Sequence, residues 1–212
     1  MAITKPFDEH FDAYEQWFSK HRAVYETEVE ALLDVLPECD VSESLEIGAG
    51  SGRFASRLGI RYGVEPSEAM AEIARERGVE MKKGVAEELP YPNWSFDLTL
   101  MVTAICFLDD LEKSIDEIDR VLKPTGWALF GFVDNDSPLG RKYLAHKHEN
   151  IFYAPATFRS AIEVITVLES HGFDVDAVRQ TVFGNLLEVN DIQPSREGHG
   201  EGGFVVLRAR KP

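Results

Sequence analysis

Between residues 7 and 36 apolar side chains recur at three- and four-residue spacing: Phe7, Phe11, Tyr14 and Phe18, then Tyr25, Val29, Leu32, Leu33 and Leu36, before Pro37 interrupts them. That period lays a single stripe along one face and predicts one or two amphipathic helices. After the polar stretch ECDVSES the pattern changes to short apolar runs. SLEI ends in GAGSG and leads into FASRLG, a short helical segment stopped by Gly59. The succession returns with IRYGVE as strand, SEAMAEIARERG as helix closed by Gly78, and VEMKKGV as strand. SFDLTLMVT then reads as strand, LEKSIDEIDRVLK as helix ended by Pro124, and GWALFGFVD as strand. In the tail, TFRSAIEVITVLESHG reads as helix, DVDAVRQTVF as strand and GGFVVLRAR as a further strand after a polar loop. Strands alternating with helices of about ten residues or more build βαβ units. The pattern therefore predicts an α/β fold: a doubly wound, mostly parallel, seven-stranded sheet with N-terminal cap helices. The two successive tail strands predict an antiparallel pair at one edge.

Length and composition narrow the class. With 212 residues, 44% of them hydrophobic, the chain can bury a full core as a single domain over 1–212. Within it, 1–40 form the cap, 41–133 the ligand-binding core, and 134–156 and 184–202 two loops on the substrate side; connections that long tend to be functional or flexible. The formal net charge of −15 disfavours nucleic acid or an anionic bilayer as partner. Cys39 and Cys106 form no C-x-x-C, no histidine cluster has zinc spacing, and packing explains both thiols, so no metal is expected. No run approaches the ~18 apolar residues of a membrane span, and MAITKPFDEHFDAYEQWF lacks the basic-then-apolar order of a signal peptide, which points to the cytoplasm.

The sharpest local feature is LEIGAGSGRF, where a strand runs into Gly48, Gly50 and Gly52 and then a helix. Glycines there let the backbone turn tightly and approach a ligand, and the following helix offers free N–H groups. A dinucleotide fingerprint, G-x-G-x-x-G, would need a third glycine where Arg53 stands. Glu46, two residues before the turn, would repel a pyrophosphate and suits a ligand with positive charge. Glu65 ends the next strand 19 positions later, where a carboxylate can accept both hydroxyls of a ribose; its alternative is an acid favoured at a helix start.

With these residues in place, the chain resembles the class I S-adenosylmethionine-dependent methyltransferases, of the small-molecule type 11 group that includes quinone-biosynthesis enzymes. Four blocks carry the likeness in order: LEIGAGSG, YGVEPSEAM, GVAEELPYPNWSFD and RVLKPTGWALF. The resemblance implies S-adenosylmethionine as cofactor. It implies that Gly48, Ala49, Gly50 and Gly52 approach the methionine moiety and ribose, that Glu65 takes the ribose hydroxyls, and that Pro66 and Ser67 lie beside the adenine. Ala86 and Glu87 meet the adenine edge, and Val102 and Thr103 complete the site. Val85 replaces the aspartate many relatives carry, which leaves Glu87 as acceptor for the adenine amino group. Cys106 and Phe107 stand where relatives often have two histidines.

Methyl transfer from a sulfonium is an in-line displacement that rewards alignment and a dry pocket more than a catalytic triad. Tyr14, Trp17 and Phe18 are candidates for an aromatic cap over the cation, or else a stripe packed on the sheet. The implied partner is a small-molecule acceptor. Two other readings compete: a non-catalytic S-adenosylmethionine binder, and a nicotinamide-dependent oxidoreductase, against which Arg53 counts.

Overall fold

The computed structural model describes residues 3–211. The N-terminal stripe folds as two helices, α1 (Lys5–Lys20) and α2 (Arg22–Leu33), separated at His21. α1 bends at His10, where φ −132° and ψ 29° leave the helical region.

The alternating segment follows the sequence pattern closely: β1 (Ser44–Ile47), α3 (Arg53–Leu58), β2 (Tyr62–Glu65), α4 (Glu68–Glu76), β3 (Glu80–Lys83), β4 (Phe96–Val102), α5 (Leu111–Val121) and β5 (Leu122–Val133). The helix boundaries have local causes. Gly59 caps α3 at φ 77°, the Ser67 side chain accepts the Met70 N–H to start α4, and the Asp110 side chain accepts the Lys113 N–H to start α5. The tail adds α6 (Pro138–His146), α7 (Ala161–Ser170), β6 (Asp174–Thr181), β7 (Arg196–Glu197) and β8 (Phe204–Arg210).

Among the described residues the strands form one sheet in the order β3-β2-β1-β4-β5-β8-β6-β7. β1 to β5 are mutually parallel, and β8 runs antiparallel to both β5 and β6. β6 therefore points the same way as β1, and the carboxyl ends of β1, β4, β5 and β6 share one edge. The antiparallel pair lies at the expected side of the sheet, with β8 on its inner position. The eighth strand, beyond the seven of the sequence pattern, is β7, whose two residues are too few to carry a period. Segment 134–156, read from sequence as a loop, is largely helical. Ser137 accepts the Gly140 N–H and Pro138 occupies the first turn, a start signal at the head of α6.

Helices cover both faces. Ile115, Ile118 and Val121 of α5 and Val164 and Leu168 of α7 pack on one side with Ile47 and Met101. Val29 and Leu32 of α2 and Phe54 and Leu58 of α3 pack on the other, against Leu98, Leu100 and Val102. The two-residue alternation of β4 divides its side chains between these layers.

Candidate active site

The strand order reverses between β1 and β4, and in an open α/β sheet the ligand crevice opens at such a point beyond the carboxyl ends of the strands. β1 runs directly into the glycine turn. Gly48, Gly50 and Gly52 take φ values of 67°, 52° and 73°, which glycine adopts without strain. A Cβ on Gly48 would fall 2.5 Å from the Ala104 Cβ, whereas one on Gly50 would lie 3.6 Å from both the Tyr14 hydroxyl and the Met70 methyl. Tyr14 of α1 thus hangs over the turn.

Two further strand ends carry backbone strain at this edge. Thr103, following β4, has φ 54°, and Val182, following β6, has φ 59°. For β-branched residues such conformations cost about 1–3 kcal/mol each and concentrate at functional sites. Thr103 is held by its N–H donating to the Gly131 carbonyl at 2.7 Å.

One cavity of about 1200 Å3 occupies this edge. Of the residues singled out from sequence, Gly48, Gly50, Glu65, Pro66, Val102 and Thr103 line it from the sheet side. Ala86 and Glu87 line a second stretch, and Tyr14 and Trp17 line the roof. Glu46, Ala49, Gly52 and Ser67 stand behind this wall and shape it.

Glu65 is buried, with its carboxylate accepting the Gly50 N–H at 3.0 Å and the Ser67 N–H at 2.9 Å. Burial raises its pKa to about 7, against the pull of those two N–H groups. Glu46 accepts the Ala55 N–H at 2.8 Å, bracing the start of α3, and burial pushes its carboxyl up to about 8. Glu87 accepts the N–H groups of Asp109 at 2.8 Å and Asp110 at 3.2 Å, so its carboxylate also ties the chain ahead of α5.

The roof is pinned to the core at two places. Ser67 donates its hydroxyl to Asp8 at 2.5 Å. Glu15 receives Ser51 at 2.5 Å, Arg53 at 2.6 Å and Arg77 at 2.5 Å, which clamps α1 to the glycine turn and to the end of α4. Burial raises the Glu15 carboxyl, but the hydrogen bonds from Arg77, Arg53 and Ser51 outweigh it and hold the pKa below its usual value. Phe18 is buried, with the Arg53 guanidinium 4.7 Å from its ring centroid, so it serves packing and roof together.

Away from the glycine turn the cavity is aromatic. Phe7 packs on Tyr14 (5.8 Å between centroids), Phe107 (5.3 Å) and Phe152 (5.4 Å), and Tyr143 packs on Tyr153 (5.0 Å). Behind these, the fully buried Asp134 accepts N–H groups from Asp136, Ala161 and Gly200, joining the segment after β5 to the loop before β8. Glu28 of α2 also lines the cavity. Sequence patterning singles out neither Glu28 nor Glu15, because a lone acid within an amphipathic helix reads as solvated. The six histidines do not converge, and among the described residues no group of three or more potential metal ligands forms.

The fold and this cavity together define a methyltransferase site, and comparison with known proteins agrees. Residues 45–130 match the family model described as "Methyltransferase domain". A Thermotoga maritima protein of known structure, described as an S-adenosylmethionine-dependent methyltransferase and a possible histamine N-methyltransferase, is 47% identical, with a TM-score of 0.92 over 97% of this chain and 98% of its own. An uncharacterized protein of Methanocaldococcus jannaschii is 39% identical over 97% of this chain and 98% of its length. The glycine/sarcosine/dimethylglycine N-methyltransferase of Actinopolyspora halophila is 31% identical over 74% of this chain, which spans 30% of that longer protein. The chain belongs to the class I S-adenosylmethionine-dependent methyltransferases, and its cofactor is S-adenosylmethionine. The names of these relatives do not single out the quinone-biosynthesis branch.

The site fits that cofactor on its own geometry. Gly50 leaves open, beneath Tyr14, the volume a side chain would fill, and the Glu65 carboxylate stands in the wall beside it. The third glycine of a dinucleotide fingerprint is absent, with Arg53 in its place turned into the Glu15 clamp.

Proposed function

We propose that this enzyme methylates a small-molecule acceptor held in the aromatic chamber beneath α1, with the cofactor on the glycine turn. The observation that carries this reading is the single cavity that runs from Gly48, Gly50 and Glu65 to Phe7, Phe152 and Tyr153. A continuous, roofed space of that size suits a cofactor and a compact partner side by side, and gives a macromolecule no broad groove. The two relatives above 30% identity whose names carry an acceptor name small amines, which supports the same scale.

In this reading Glu65 accepts the ribose hydroxyls through charge-assisted bonds, and the backbone at Gly48 and Gly50 meets the methionine moiety. Ala86 and Glu87 border the adenine, while Glu46, Ala49, Gly52 and Ser67 hold the turn and the start of α4 in shape. When bound, S-adenosylmethionine supplies an electrophilic methyl on a sulfonium centre. Tyr14 and its aromatic neighbours exclude water and present ring faces to positive charge. Burial, then Glu65 and Glu46, keeps the Tyr14 hydroxyl well above its ordinary pKa, so it stays protonated. Alignment within a dry chamber is the main contribution asked of the protein.

The test is incubation with S-adenosylmethionine carrying a deuterated methyl group and a pool of small amines, phenols, thiols and carboxylates, with products read by mass spectrometry. A small product heavier by one labelled methyl group is expected. Label found only in added protein or RNA would overturn the reading.

A further inference from the structure

Glu28 is the one carboxylate in the chamber wall, among the described residues, that has no structural task. Its residue surface is 6% exposed, it lines the cavity from α2, and it makes no hydrogen bond or ion pair with any described residue. The contrast with the neighbouring acids is sharp. Glu65 and Glu46 brace backbone N–H groups, and Glu15 holds two arginines. A buried carboxylate without a partner costs several kcal/mol when charged, and core positions rarely keep one without use. Thr27, its neighbour on α2, is also buried yet satisfied at 2.7 Å by the Ala23 carbonyl and at 3.0 Å by the Gln193 N–H. The groups that face Glu28 are the Tyr143 and Tyr153 side chains; burial foremost raises the pKa of both hydroxyls, followed by the Glu28 charge at Tyr143, and by Tyr143 and Cys106 ahead of Glu28 at Tyr153. Lys113, Lys142 and His146 belong to the exposed rim and make no bond to it.

On the reading that the aromatic chamber holds the acceptor, we propose that Glu28 is the specificity-determining residue that receives a protonated amine of that acceptor. Two features of the chamber suit such a group. The carboxylate gives an ammonium its counter-charge, and the aromatic rings of Tyr143 and Tyr153 beside it attract a cation. A neutral or acidic acceptor would leave Glu28 unpaired and would gain nothing from it.

Burial alone raises the Glu28 pKa to about 8, which makes the empty carboxyl roughly nine-tenths protonated at pH 7. An ammonium beside it favours the charged form, so amine binding at pH 7 expels a proton from Glu28 to solvent.

The test is calorimetry on protein saturated with S-adenosylhomocysteine, titrated with phenethylamine, butane-1,4-diamine and 2-(imidazol-4-yl)ethylamine, each beside its matching alcohol, and with phenylacetate. At least one amine should bind roughly ten-fold or more tighter than its alcohol, and the Glu28→Gln change should abolish that preference while leaving the affinity for S-adenosylhomocysteine unaltered. Repeating the wild-type titration in buffers of different ionisation enthalpy should show proton release near pH 7 that fades above pH 9. Glu28→Leu should raise the unfolding temperature of the ligand-free protein, because it removes a desolvated acid that no structural partner needs. An absence of amine preference across the panel, a preference for phenylacetate, a preference that survives in Glu28→Gln, or a lower unfolding temperature in Glu28→Leu would each overturn the assignment. Failure of the wild type to bind S-adenosylhomocysteine would instead strike the cofactor site itself.

Discussion

Glu28, Glu46 and Glu65 are carboxylates whose surroundings oppose their charge. Burial raises the first two to about 8 and the third to about 7, from an ordinary 4.5. A carboxyl whose folded pKa is raised binds more protons in the native than in the unfolded chain. Its stabilising contribution is whole below the unfolded value and is lost as pH rises through the folded one. The ligand-free protein is therefore expected to lose unfolding temperature steadily from about pH 5 to pH 8, each group contributing up to about 1.4 kcal/mol per pH unit. Glu28→Gln and Glu46→Gln should each flatten that slope; a slope unchanged in both would contradict the burial account. Glu65 carries a second expectation. Its carboxylate spans the Gly50 and Ser67 N–H groups at the cavity wall, and as the ribose acceptor its loss in Glu65→Ala should weaken S-adenosylhomocysteine binding by roughly 2–4 kcal/mol with the fold intact. An unchanged dissociation constant would leave Glu65 as a brace for the start of α4. These residues were legible in the sequence to different degrees. Glu46, Glu65 and the glycines follow from a strand, a turn and a helix close together in the chain. Glu28 announces nothing, because its role depends on burial that only the packing of α2 over the sheet creates.

At the scale of elements, the question is what holds α1 over the glycine turn. The apolar stripe that predicts the helix also explains its docking, but the clamp is polar. Glu15 reaches Arg53 and Arg77, 38 and 62 positions along the chain, contacts that no local period can disclose. The bend at His10 separates the Asp8 anchor from the Glu15 anchor and gives the roof two segments. Glu15→Ala should free α1 without unfolding the core. Hydrogen exchange is expected to quicken across residues 5–20, with protection partly restored by S-adenosylhomocysteine, and cofactor affinity should fall about ten-fold. Equal exchange in variant and wild type would make the clamp incidental. α6 shows a different limit of sequence reading. Ser137 and Pro138 mark its start, but the polar surroundings hid its weak amphipathic pattern, and the length of the connection suggested an open loop. β7 is shorter still and exists only because the loop before β8 folds back on β6.

Across the whole molecule, a doubly wound sheet fixes the cofactor crevice between β1 and β4, and the aromatic helices close over it. The alternation of strands and helices made the parallel part of the sheet readable from sequence, and the two successive tail strands made its antiparallel pair readable. The aromatic chamber was not readable in the same way, since α1, α2, α6 and the segment around Phe152 contribute its side chains from distant parts of the chain. No helix among the described residues is long and apolar enough to cross a membrane. The glycine turn and Glu65 are expected to form an S-adenosylmethionine site and not a dinucleotide site. Calorimetric titration of the wild-type protein with S-adenosylhomocysteine, and separately with NAD, distinguishes the two. One S-adenosylhomocysteine should bind per chain with no measurable heat from NAD; NAD bound as tightly as S-adenosylhomocysteine would contradict the account.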